Sequence, residues 1–261
     1  MLMNLLPGLR ELRTPLAVGY VWLVTIWLCA ADHLPSRDSA TGVFASLYKG
    51  IGRLDQAALI AVASFCAYII GSTVAVKFVR TAPRIKIPAI RAWEPWRTEA
   101  PKVSWDARQD LKAYAKSAIH GISFIDARRA PSSILQDRRT GRDEAVFEAM
   151  EATLMELDHL RFQLMKASSE LFSEHDRHAA EADFRCNIAI ALTGLAAGLS
   201  YFQTPAFLII LPAAWVLFRR GIARAVECND LVVQALVAGE ISSTVIEARR
   251  GTSIPAQPSE E

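Results

Sequence analysis

Three stretches of this sequence carry no charged residue: 14–31, 56–76 and 186–218. A helix needs about 20 apolar residues to cross a hydrocarbon core roughly 30 Å thick. The first two stretches fit one crossing each, at about 16–31 and 56–76. The third is too long for a single crossing and is interrupted by Gln203-Thr204-Pro205, so it predicts two short spans joined by a tight turn. The pattern predicts an all-α integral membrane protein with four transmembrane helices in two hairpins, 1–76 and 186–218, and a helical, coiled-coil-like domain outside the bilayer. Buried core helices of a water-soluble protein fit runs of this length poorly.

The first run follows Arg10 and Arg13, as the apolar part of a cleaved leader also would. It is long for a leader, and Tyr20, Trp22 and Trp27 suit a permanent span, so it is read as uncleaved. Within the spans, Ala63, Ala67, Gly71 and Ala75 recur every four residues, and Gly194 and Gly198 form a GxxxG pair. Lipid tails are as apolar as the side chains themselves, so helices associate in a bilayer by close packing, which such small residues permit. These positions predict helix packing, either within the chain or between subunits. Asn187, at the inner end of span three, is placed to add a hydrogen bond across helices. No span carries a mid-membrane Asp, Glu, Lys, Arg or His, which argues against ion-coupled transport.

Between spans two and three the pattern turns polar. Residues 77–103 hold Pro83, Pro88, Pro95 and Pro101, which forbid a continuous helix. Arg80, Arg84, Lys86, Arg91, Trp93, Trp96 and Arg97 give this segment the basic and indole character of a strip lying on an anionic membrane surface. A linker whose tryptophans pack on the helical domain is the alternative. Residues 104–185 predict that helical domain. Ser104 is an N-cap, and Leu111, Tyr114, Ala115, Ala118, Ile119, Ile122 and Ile125 continue a helical stripe to about Arg128, weakened at Gly121. From Asp143 to Arg185 there is neither proline nor glycine. Phe147, Met150, Leu154, Leu157, Leu164 and Leu171 form a seam broken by Arg161 and Ser168. One uninterrupted helix from 143 to Phe202 is expected, packed on the Ser104 helix. After span four, 219–250 predicts a further amphipathic helix ended or kinked at Gly239, and 251–261 has the composition of a disordered tail.

Charge sets the orientation. Basic residues cluster before span one (Arg10, Arg13), after span two (Lys77, Arg80, Arg84, Lys86) and after span four (Arg219, Arg220, Arg224), while the connection 32–55 is neutral. Positive charge is retained on the cytoplasmic side, so both termini and the central domain are expected there. Over the chain, 29 basic residues oppose 27 acidic ones, a net charge of +2. That balance gives no support to a nucleic-acid partner. The bias of 22 Arg to 7 Lys fits a bacterial inner-membrane protein.

Candidate chemistry is sparse. His175 and His178, with Glu174 and Glu181 at helical spacing, form the most chemical-looking cluster, a weak metal-ligand candidate for which a solvated charged face is the plainer reading. Glu156-Leu-Asp-His159 has the Glu-x-x-His spacing of di-metal bundles but lacks the second copy they require. Arg138, Arg139 and Arg142 precede a helix start and have the character of an anion contact, with a solvated loop again the plainer reading. No phosphate-binding loop or nucleophile motif is present, and Cys29, Cys66, Cys186 and Cys228 form no C-x-x-C, so they are expected to be reduced. No cofactor is implied. The expected role is a non-enzymatic membrane component whose cytoplasmic helices bind a second copy or another membrane or cytoplasmic protein, with the lipid bilayer as its other partner. The alternatives are a pore-forming effector, resting on the short 186–218 hairpin and Pro212, and a metal-dependent hydrolase resting on the histidine cluster alone.

Overall fold

A computed structural model describes residues 7–37, 39–78, 103–129 and 141–252. Among these every regular element is helical: α1 (Pro7–Ala30), α2 (Val43–Ile51), α3 (Gln56–Val74), α4 (Trp105–His120), α5 (Phe124–Arg129), α6 (Gly141–Met155), α7 (Leu157–Ala167), α8 (Ser169–Phe202), α9 (Ile210–Val237) and α10 (Thr244–Thr252). Four segments are long and apolar enough to cross a membrane: Leu12–Ala30, Gln56–Val74, Ser169–Phe202 and Pro205–Val237. They overlap the four predicted spans. The chain divides into two compact units, Met1–Phe78 with Ala180–Ala223, and Val79–Ala179 with Arg224–Glu261.

In the first unit the helices meet backbone to backbone. A Cβ on Gly19 would lie 1.6 Å from the Ala67 carbonyl oxygen, and one on Gly71 would lie 1.7 Å from that of Pro15. The α1 and α3 helices therefore run antiparallel in contact closer than any larger residue permits, and the Tyr20 hydroxyl bonds Ser64 across the seam. Of the small-residue stripe, Ala67 and Gly71 are buried, and Ala63 and Ala75 are half-buried at its ends. The GxxxG pair packs on an adjacent face of α1. Gly194 faces the Trp22 ring and Gly198 faces Cys29, with Arg13 over the Phe184 ring at one end and His33 edge-on to Phe202 at the other. That order makes α1 and α8 parallel.

The predicted turn is present. Thr204 is extended, its hydroxyl accepts the Ala206 N–H at 3.2 Å, and Pro205 opens a 3-10 turn, Pro205–Ile209, leading into α9. Gly221 lets α9 approach Cys186 of α8.

The second unit is built around aliphatic side chains. Leu111 of α4, Val146 and Met150 of α6, Leu160 and Leu164 of α7, and Val232, Val233 and Leu236 of α9 are all buried in one cluster, closed by Ile241 and Ile246. The C-terminal helices thus share a core with the 104–164 helices.

Three sequence expectations are corrected. The α4 helix starts at the predicted cap, with Ser104 accepting the Ala107 N–H, but stops at His120: Gly121 sits at φ +67 as a left-handed C-cap, and the chain resumes as α5. The expected single helix from 143 to 202 is three helices. Its first break is at Glu156. Its second is at Ser168, which is extended (φ −144, ψ 110) and turns its hydroxyl to the Leu171 N–H, trading helix continuity for a cap. Finally, the helix expected after span four is the uninterrupted continuation of α9, ended by Gly239 at φ +78. Of the seam, Met150, Leu154 and Leu164 are buried, Leu157 and Leu171 are half-buried, and Phe147 is exposed.

Candidate functional site

The α8 helix places Phe172, His175, Asp176 and His178 within two turns, and α9 brings Glu227 and Cys228 against them. His175 is 1% exposed, and its Nδ1 is buried with no hydrogen-bond partner. Its ring stacks on Phe172 at 6.3 Å, and its backbone carbonyl accepts a hydrogen bond from the Cys228 thiol at 3.4 Å. Burial disfavours the imidazolium, and Arg161 and His178 add to that, so the pKa of His175 is lowered to about 4. This histidine is neutral at neutral pH and behaves as a core residue.

His178 has a different setting. Its Nε2 lies 3.8 Å from Glu174 on its own helix and its Nδ1 lies 3.6 Å from Glu227 on α9. Glu227 is also paired with Arg224, and Glu174 with Arg177 at 4.0 Å. Arg161 reaches Asp176 at 3.9 Å. Glu181 is engaged by Arg185 one turn further along. The carboxylates around the histidines are thus held by guanidinium groups. Among the described residues, no three His, Cys, Asp or Glu side chains are arranged to hold a metal ion.

The Glu-x-x-His pair has a different use. Glu156 accepts hydrogen bonds from the hydroxyls of Ser243, at 2.9 Å, and Thr244, at the start of α10. Ser243 also meets Thr153 at 3.3 Å, and Gln163 accepts the Ser242 N–H at 3.0 Å. These bonds tie the bend after Gly239 to α6 and α7, while His159 is exposed. Asp230 reaches back to the Ser104 N–H at 2.8 Å, and its carboxyl is pushed up by burial despite that bond. Asp230 is marked in the sequence by no periodic or spaced pattern, and Glu156 only by its spacing to His159, because each acts on a segment far along the chain.

In the first unit Asn187 makes the cross-helix contact. Its Oδ1 accepts the Val76 N–H at 2.8 Å, and its Nδ2 donates to the Val76 carbonyl at 2.8 Å and to that of Asp183 at 2.7 Å. Asp183 accepts the Phe78 N–H at 2.7 Å, and Phe78 is buried edge-on to Phe218. The end of α3, where backbone groups run out of helical partners, is capped by side chains of α8.

None of Cys29, Cys66, Cys186 and Cys228 forms a disulfide. Arg80, Arg84, Lys86, Arg91, Trp93, Trp96 and Arg97 lie outside the described residues, as do Arg138, Arg139 and the side chain of Arg142. Compared with protein-family models, curated proteins and solved structures, the chain matches none.

Proposed function

We propose that this chain is a multi-pass protein of the bacterial inner membrane, with both termini and the aliphatic-cored unit in the cytoplasm, that works without catalysis as an oligomeric interaction or signalling component. One observation carries the reading: α8 is a single helix whose first eleven residues belong to the aliphatic-cored unit and whose remainder belongs to the apolar one. A partner bound to the former unit acts on the same helix that packs Gly194 and Gly198 against α1. Phe162 and Met165, adjacent on the outer face of α7, and Phe147 on α6 are exposed apolar side chains suited to such a contact. The juxtamembrane basic and indole residues supply the attraction to anionic lipid.

Crosslinking in native membranes, followed by mass measurement in mild detergent, tests this. A discrete oligomer or a stoichiometric partner, reduced by Phe162→Asp, is the expected result. A strict monomer that recovers no partner overturns it. Orientation is read by cysteines introduced at positions 46, 132 and 253, expected to react from outside, inside and inside.

A further inference from the structure

The connection between α1 and α3 contains α2, a helix with no buried residue. At 100° per residue, Val43, Phe44, Leu47 and Ile51 fall within an arc of about 100°, with Lys49 on the far side and Ser46 beside it. All four apolar side chains are exposed, Val43 at 80%. The helix is nonetheless held in place. The Tyr48 hydroxyl donates to the Pro35 carbonyl at 2.9 Å, and Gly52 lies against the Arg37 guanidinium. Both tethers lie on the flank next to the apolar stripe and leave the stripe uncovered. Asp55, the cap that starts α3, is four residues beyond Ile51, a reach of at most about 14 Å. The stripe therefore stays beside the apolar helix α3, of whose nineteen residues only Ala67 and Gly71 are buried.

From this juxtaposition we infer that α2 is an interfacial helix whose Val43–Phe44–Leu47–Ile51 face inserts into the outer leaflet at the headgroup–acyl boundary, with Lys49 and Arg53 toward the headgroups. The inference rests on the reading that α3 crosses a bilayer. A membrane is the occupant that fits. The stripe is narrow and opposed by a basic residue, as in helices that lie in the interface plane. It is also continuous along the chain with a helix whose exposed side chains need the same solvent.

The test uses the full chain reconstituted in phosphatidylcholine–phosphatidylglycerol vesicles. Nitroxide labels are placed singly at positions 43, 47 and 51, and at 46 and 49, in a Cys29→Ser, Cys66→Ser background. Their collisions with oxygen and with a water-soluble nickel chelate are measured. The exposed native Cys66, labelled in a Cys29→Ser chain, reports on α3 itself. The expected result is an oxygen-to-nickel ratio several-fold higher at 43, 47 and 51 than at 46 and 49, with Cys66 deeper still. A lipid-embedded Cys66 with equal nickel access at all five α2 positions overturns the interfacial helix and leaves the spans standing. Shielding of 43, 47 and 51 from both reagents also overturns it and gives the face to a second copy of the chain. Nickel access at Cys66 overturns the spans and this inference together.

Discussion

The two units solve the same packing problem with opposite residues. In the aliphatic-cored unit, Leu111, Leu160, Leu164 and Leu236 are fully buried, and water drives them together. In the other unit the seams are made of Gly19, Ala67, Gly71, Gly194 and Gly198, while Ile60, Phe65 and Ile69 stay exposed. Large side chains gain nothing by leaving lipid, so contact there comes from backbones that approach closely. The contrast is the one expected of a unit solvated by lipid beside one solvated by water, and it is open to direct attack.

The largest effect is expected from Leu236→Ala, which leaves a cavity in the aliphatic core and should cost about 2–5 kcal/mol in denaturant unfolding of that unit. Acid comes next. Folded His175 holds out against protonation down to about pH 4, whereas in the unfolded chain it titrates near 6.5. The unfolded state therefore binds the extra proton first, and stability falls as pH drops from about 6.5 to 4, by up to about 3 kcal/mol. The loss should be absent in His175→Phe, measured by the pH dependence of chemical denaturation. In the glycine-seamed unit, Gly71→Ala forces α1 and α3 apart and should cost about 1–3 kcal/mol, read as lost thermal stability in detergent micelles. Least of all, Ile60→Ala on the exposed face of α3 should change stability by less than about 0.5 kcal/mol in the same assay, because detergent or lipid refills the space. A loss at Ile60 as large as that at Leu236 would remove the distinction between the two units.

What the sequence made legible follows the same division. Candidate spans announce themselves because the absence of charge over 18 residues or more is a bulk property, and the positions of Gly71 and Gly194 are set by helical spacing within one segment. Ser104, Thr204 and Gly239 were readable because caps and breakers act on their own neighbours. The breaks at Glu156 and Ser168 were not. Neither residue forbids a helix: Glu156 bonds Ser243 and Thr244 far along the chain, and Ser168 caps α8 from inside a stretch with no proline or glycine to mark a stop. The α2 helix was hidden by its brevity and by Gly42, Gly50 and Gly52, which read as loop. The histidine pair was visible as a pattern, but its meaning was not, since the pattern does not show that His175 is buried on Phe172 or that Glu227 comes from another helix to His178.

Asn187 has a consequence for behaviour in acid. A carboxamide has no proton to gain or lose across the biological range, and it meets Val76 through the peptide backbone, which is equally inert. The Asn187 part of the grip at the end of α3 is therefore indifferent to acidity, whereas the neighbouring Asp183 bond to the Phe78 N–H is made by a carboxylate. As pH falls and the buried His175 destabilises its own unit, the carboxamide contact from Asn187 to Val76 should persist.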